Sequence, residues 1–233
     1  MSLVHTIDAS PIDLRIIQDI LTNDKKLLLS AAAIARIEKC RAFLDEKMKS
    51  VSKPIYGINT GFGALYNVKI KGKNLQKLQE NLVMSHACGA GEEVPKTIVK
   101  LMLLLKIQSL SYGHSGIQLQ TVNRLLDFYN NNITPIVYDQ GSLGASGDLS
   151  PLAHLSLPLL GEGEVYYNGF RQPAHKVLES LGLQPLVLKS KEGLALLNGT
   201  QFMGAYGVYS LIKAYFVLFC SHRKVLKESL HGS

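Results

Sequence analysis

A chain of 233 residues with 46% hydrophobic and 18% charged content is long enough to bury a substantial core and too apolar to stay disordered. Its formal charge of +7 is spread over scattered residues such as Lys69, Lys71, Lys73 and Lys77, with few aromatics among them. No groove-reading or base-stacking module accompanies the charge, which argues against nucleic acid and is compatible with an anionic small molecule.

Cys40, Cys88 and Cys220 are odd in number and contain no CxxC pair, so neither a disulfide framework nor a structural zinc site is indicated, and no metal site is expected. They read as buried thiols in a reducing compartment. Met1 to His5 lacks a basic stretch followed by an apolar one, so no signal peptide is evident and the cytoplasm is the default expectation.

In chain order the sequence reads as mainly helical. Ser10-Pro11-Ile12-Asp13 opens a predicted helix with Asp13 near the cap, and Ile12, Ile16, Ile17 and Ile20 recur on one face. Ser30 caps a second helix through about Lys49, with Ile34, Ile37, Phe43 and Leu44 inward and Arg36, Glu38, Lys39 and Glu46 outward, before Pro54 stops it. Tyr56 to Gly63 is a glycine-bearing loop able to fold over a site and carry Tyr56 and Phe62 with it. Taken alone, it is equally a surface loop whose tyrosine packs its ring and wets its hydroxyl.

Asn74 caps a predicted helix from Leu75 to about Ala87, with Leu75, Leu78, Leu82 and Met84 inward. Ser85 and His86 close it before the stop Cys88-Gly89-Ala90-Gly91, and a lone histidine there is in itself a structural residue. Thr97 to Ser111 is a helix buried on most sides, too short and too interrupted by Lys100 and Lys106 to span a bilayer. Leu119, Val122, Leu125, Leu126 and Tyr129 mark another amphipathic helix, after which Pro135 to Tyr138 runs extended.

Beyond a glycine-rich loop, Glu164 to Arg171 alternates around Asn168-Gly169, the signature of a two-residue hairpin. Ala174 to Leu181 is a short helix stopped by Gly182 and Pro185. Lys191 to Leu197 leads into Asn198-Gly199-Thr200, where Asn198 alone reads as a turn residue. Phe202 to Cys220 is apolar enough to raise the question of a membrane span. Lys213 near its middle would cost about 2.5–3.5 kcal/mol in a bilayer, and Gly204, Gly207 and Ser210 suit close helix packing, so the expectation is a buried bundle helix and no membrane.

The glycine-rich loop itself, Gly141-Ser142-Leu143-Gly144-Ala145-Ser146-Gly147-Asp148, runs into Leu149-Ser150-Pro151, with Ser150 expected as N-cap and Pro151 at the first helical position. Without a Cβ on Gly147, its amide nitrogen can approach the carbonyl carbon of Ala145. Attack and loss of water would close a five-membered ring, and loss of the Ser146 hydroxyl as a second water would give an electrophilic methylidene-imidazolone. On the tripeptide alone the plainer reading is a glycine turn leading into a helix. A P-loop is excluded because Asp148, not Lys, follows Gly147; a GxSxG elbow is excluded because the second residue after Ser146 is Asp148. A carboxylate at Asp148 could move protons during cyclisation, or hydrogen-bond a helix N-terminus.

Residues 141 to 153 closely resemble the signature of the histidine and aromatic amino-acid ammonia-lyases. Tyr56-Gly57-Ile58-Asn59-Thr60-Gly61-Phe62-Gly63 and Leu196-Leu197-Asn198-Gly199-Thr200-Gln201 resemble two further stretches of that family, in the family's order. The resemblance runs from about Ile12 to about Tyr215. It implies a mainly α, helical-bundle lyase fold with a small β-hairpin and glycine-rich active-site loops. Residues 1–233 would be its N-terminal half, with the prosthetic-group loop at 141–151 and the C-terminal half absent.

By the same resemblance Ala145, Ser146 and Gly147 form the 4-methylidene-imidazol-5-one (MIO) group autocatalytically, without an external cofactor. Tyr56 is a catalytic acid or base, a task that a phenol performs only beside an electropositive group. Asp148 belongs to the prosthetic loop, and Asn198 hydrogen-bonds the prosthetic group or the substrate. Ser85 and His86 lie in the substrate side-chain pocket, where a Ser-His pair resembles the histidine-specific members. The implied reaction is non-oxidative elimination of ammonia from L-histidine, giving trans-urocanate. A tyrosine or phenylalanine lyase, an aminomutase or an inactive truncated fragment are the alternatives. The family assembles as homotetramers, so a homo-oligomer with a small-molecule amino acid substrate is expected.

Overall fold

The computed structural model describes residues 3–50, 53–60, 70 and 74–231, with side chains as far as Phe219. Phe62, Gly61, Gly63, Lys69, Lys71, Lys73 and the Cys220 side chain lie outside the described residues.

The chain begins with strand β1 (Val4–Ile7), helix α1 (Leu14–Thr22), strand β2 (Lys26–Leu29) and helix α2 (Ala31–Ser50). Asp13 caps α1 by accepting the Ile16 amide at 2.9 Å, and Ser30 caps α2 by accepting the Ala33 amide at 3.0 Å. β1 and β2 pair in parallel, a pairing that the sequence analysis did not foresee. Strands so short gain little by themselves; β2 is anchored by the Asn130 side chain, which bonds both the amide and the carbonyl of Leu27 at 2.7 and 2.9 Å.

Helix α3 (Asn74–His86), strand β3 (Ala90–Glu93), helix α4 (Lys96–Ser111) and helix α5 (Leu119–Asn130) follow. α4 is the centre of the core: Ile98, Val99, Leu101, Met102, Leu103, Leu104, Ile107 and Leu110 are all buried. A helix apolar on every side has no wet face and must be surrounded. Strands β4 (Thr134–Pro135), β6 (Glu164–Tyr167) and β7 (Phe170–Pro173) form one antiparallel sheet, with β4 against β6 and β6 against β7. The expected hairpin is there, with Asn168 and Gly169 at φ +50° and +82°, the left-handed pair that a type I′ turn needs.

Strand β5 (Tyr138–Gln140) pairs with β3, Gln140 opposite Ala90. This clamp brings the end of α3 and the entrance of the glycine loop together. The loop then runs into helix α6 (Leu149–Ser156), a 3₁₀ turn at Leu157–Leu160, helix α7 (Ala174–Ser180), helix α8 (Glu192–Leu197) and helix α9 (Gln201–His231).

Four expectations differ from the structure. α6 begins at Leu149, not Pro151, and Ser150 lies inside its first turn with a buried hydroxyl that has no partner among the described residues, so it caps nothing. Phe43 and Met84 face solvent, Phe43 at 71% exposure, because the inward faces of their helices are already filled by Ile37 and Leu44, and by Leu78, Leu82 and Val83. Cys88 is exposed and Cys40 half-buried, since both lie at the margins of packed faces. α9, finally, is not a buried bundle helix. Ala205 is buried at its start, but Leu211 and Tyr215 to Phe219 are largely exposed, with part of that end lining an open groove against α1.

A groove of about 1130 Å³ opens between α1 and α9, lined by Ile12, Leu14, Ile212, Tyr215 and Phe216 among others, and by none of the glycine-loop residues. Among the described residues, the helical stretch 192–219 is long and apolar enough to cross a membrane by length and composition.

Candidate functional site

The loop doubles back on itself. The Ala145 amide donates to the Leu143 carbonyl at 2.8 Å, and the Gly147 amide donates to the Gly144 carbonyl at 3.2 Å. These bonds turn the Gly147 nitrogen back over Ala145 and Ser146, with backbone bridging between residues 144–145 and Gly147. Gly147 holds φ +90°, and a Cβ there would lie 2.6 Å from the Gly199 carbonyl oxygen, so backbone occupies the space of a side chain. Ala145 and Ser146 are exposed at the tip, beside Leu143 at 92% exposure.

Asp148 ties this turn to the rest of the molecule. Its carboxylate is fully buried. One oxygen accepts the Ser142 hydroxyl at 3.2 Å; the other accepts the Phe202 and Met203 amides, both at 3.0 Å. Those amides are among the unpaired donors of the first turn of α9, so a negative charge meets the positive end of that helix. The Asp148 amide in turn donates to the Gly199 carbonyl at 2.8 Å. Of the two roles open to Asp148, the geometry shows capping of a helix N-terminus. That helix is α9, not α6, which follows it directly.

Asn198 follows α8 in extended conformation, φ −84° and ψ 124°. Its side-chain amide is exposed and has no hydrogen-bond partner among the described residues. Its carbonyl accepts Lys106 Nζ at 3.1 Å. Lys106, deep in α4, is wholly buried, and desolvation pulls its pKa down to about 7. No carboxylate pairs with it among the described residues. Lys106 did not stand out in the sequence as part of the site; its one signal is a single amine within Leu103-Leu104-Leu105-Lys106-Ile107.

Ser85 and His86 end α3. Ser85 is exposed and its hydroxyl donates to the Leu82 carbonyl at 3.3 Å. His86 Nδ1 lies 2.8 Å from the same carbonyl, which can only accept, so Nδ1 carries a proton. Three residues on, the Gly89 amide donates to His154 Nε2 of α6 at 2.9 Å, and burial holds the His154 pKa below the ordinary value. The neutral acceptor form is therefore the one that joins α3 to the helix behind the loop.

The structure thus brings together residues 141–148, Asn198 to Met203 and, through β3 and β5, the end of α3 carrying His86. Tyr56 is not among the groups joined to the loop by these bonds. It sits 54% exposed on a separate turn, which buried Asn59 and Thr60 hold by accepting the Ile55 and Gly57 amides at 2.6 and 3.2 Å. Among the described residues no three His, Cys, Asp or Glu side chains converge to hold a metal ion.

A family model of aromatic amino acid lyases matches residues 12–223, past Tyr215, where the sequence resemblance was expected to end. A histidine ammonia-lyase of Myxococcus xanthus is 46% identical over 208 residues, 89% of this chain and 41% of the relative. Among solved structures, the histidine ammonia-lyase of Trypanosoma cruzi superposes with a TM-score of 0.80 at 36% identity, over 91% of this chain and 40% of that one. The phenylalanine aminomutase of Pantoea agglomerans superposes with a TM-score of 0.84 at 33% identity, over 94% and 42%. The chain spans about two fifths of the length of these relatives.

Proposed function

Because the chain belongs to the aromatic amino acid lyase family, we propose that it forms the loop-bearing portion of an enzyme that eliminates ammonia from L-histidine to give trans-urocanate, using an MIO group made from Ala145, Ser146 and Gly147. The observation that carries this reading is the clasp that presses the 144–147 turn against Gly199 through Asp148. The residues present fit such a group. Gly147 nests where a Cβ would collide, and two buried polar atoms flanking the loop, Ser150 Oγ and Gln201 Oε1, have no partner among the described residues.

Once formed, the group would supply electron withdrawal that makes the substrate's amino group a better leaving group. The remaining roles fall to side chains. The Asn198 amide, uncommitted and exposed, can hold the prosthetic group or the substrate by donor and acceptor at once. His86 at the end of α3, with Nδ1 toward the Leu82 carbonyl and Ser85 beside it, is the proposed contact for the substrate's imidazole. Tyr56 is the proposed base for the β-proton. Its exposure in this chain fits a site completed by further polypeptide, as does the bare apolar end of α9, and we assign both to a homo-oligomer.

The test is peptide mass analysis of the purified chain together with ammonia release from L-histidine, L-tyrosine and L-phenylalanine. Loss of two waters confined to residues 141–151 is expected, and Ser146→Ala should lack the second dehydration. A loop that keeps both waters would overturn the proposal. A matured loop that releases ammonia from none of the three would identify an inert remnant. The backbone match to a phenylalanine aminomutase favours one second reading, amino-group migration on an aromatic amino acid; product analysis separates it from elimination.

A further inference from the structure

Lys106 is the buried titratable group that none of the roles above uses. α4 is packed on all sides with Leu, Ile, Val and Met, and a methionine at 106 would fill similar space without the cost of desolvating an amine. The amine has one acceptor among the described residues, the Asn198 carbonyl at 3.1 Å.

That carbonyl and the Gly199 amide nitrogen belong to one rigid, planar peptide unit. The Gly199 nitrogen lies 3.4 Å from the Cβ position of Gly147 and the Gly199 oxygen 2.6 Å from it, while the same oxygen accepts the Asp148 amide at 2.8 Å. The Gly199 oxygen belongs to the next peptide unit, so holding the Asn198–Gly199 peptide places the Gly199 nitrogen and Cα, and the carbonyl that faces the Ala145–Gly147 turn extends from that anchored Cα.

We propose that Lys106 is a positioning residue for the prosthetic loop: its buried amine holds the Asn198–Gly199 peptide so that Gly199 walls in Gly147 and keeps the turn compressed for ring closure. The ring-closure part rests on the function proposed above; the positioning part does not. In ring closure the Gly147 nitrogen bonds to the Ala145 carbonyl carbon, a C=N bond forms from that carbon to the Ser146 nitrogen, and the carbonyl oxygen leaves as water with the amide protons of Gly147 and Ser146. Lys106 takes no part in that exchange of bonds and acts only through the peptide it holds.

The test compares the 233-residue chain with K106M, which keeps the bulk and loses the donor, and K106R, which keeps a donor. Three readouts are taken: the rate at which the 141–151 peptide loses two waters, the melting temperature, and hydrogen exchange of the Asp148 amide. The expected result for K106M is ring formation slowed about tenfold, the worth of one buried hydrogen bond. Its melting temperature should equal or exceed that of the parent, and the Asp148 amide should exchange faster. K106R should recover most of the ring-formation rate.

A K106M chain that matures at the parent rate with unchanged Asp148 exchange would overturn the inference. So would loss of the melting transition in both variants, which would assign the lysine to folding alone. A parent chain that keeps both waters would overturn the function proposed above, and Asp148 exchange would still decide whether Lys106 holds the wall.

Discussion

α4 and α9 are both strongly apolar helices and they pack against each other, yet they end in opposite circumstances. α4 buries most of its side chains from Ile98 to Leu110; α9, among its described side chains, is fully buried only at Gln201 and Ala205 and shows solvent those from Tyr215 to Phe219. An apolar helix states a demand for cover, and whether the demand is met depends on what else is present. In α4 the demand is so fully met that even a lysine is carried inside. In α9 it is met in the first turns, where the loop clasp sits, and largely unmet from Tyr215 to Phe219.

The largest effect that sharpens this contrast comes from titrating Lys106. Its pKa falls from 10.5 in the unfolded chain to about 7 in the fold. The unfolded state therefore binds the extra proton between those values, and stability rises as pH climbs from 7 to 10.5 and is lost as it falls back. Lys106→Met should abolish that rise and add on the order of several kcal/mol near pH 7, read by denaturant melts at several pH values. Next, Leu104→Ala in α4 should cost about 2–5 kcal/mol, whereas Leu218→Ala in α9 should change stability by less than about 0.5 kcal/mol. Equal losses at the two sites would break the comparison.

Asp148→Asn, at the junction of the two regions, should cost about 1–2 kcal/mol by weakening the cap of α9, and should speed amide exchange at Phe202 and Met203 more than anywhere in α4. A smaller effect is expected on the acid side. Burial lowers the His154 pKa, so its contribution is present above the ordinary histidine value and fades as pH falls through it. His154→Gln should flatten that acid limb of the melting curve. The smallest effect on stability and the clearest on association belongs to Phe216→Ser with Leu218→Ser, which should leave the melting temperature unchanged while lowering the sedimentation-derived mass.

Much of the fold was legible because local chemistry and tertiary packing agree. Asp13 and Ser30 cap where their side chains predict, Asn168-Gly169 turns as its φ values require, and the continuous apolar run of α4 is central. Phe43 and Met84 misled because a helix of alternating content offers more apolar residues than its inward face can take. α9 misled for a different reason: periodicity shows which side wants cover but says nothing of whether cover exists. The parallel pairing of β1 with β2 left no period-2 signal in four-residue strands.

Of the site, the glycine loop and Asn198 could be singled out from motifs, since their composition is unusual over many adjacent residues. Neither the partner of Asp148 nor the involvement of Lys106 could be, because both depend on contacts across 54 and 92 residues of chain. Lys106 was moreover read only as an interruption of an apolar run, whereas burial brings its pKa down to about 7 and sets its amine against the Asn198 carbonyl.

Asp148 and the amides that seat it are 54 and 55 positions apart. A polypeptide emerging from its N-terminus thus exposes the glycine loop well before the first turn of α9 exists to receive its carboxylate. Any irreversible covalent change at Ala145 to Gly147 that needs the seated geometry is held back until that later stretch is made and coiled. On the function proposed above, the clasp would act as a clock, with backbone chemistry waiting for the completed scaffold.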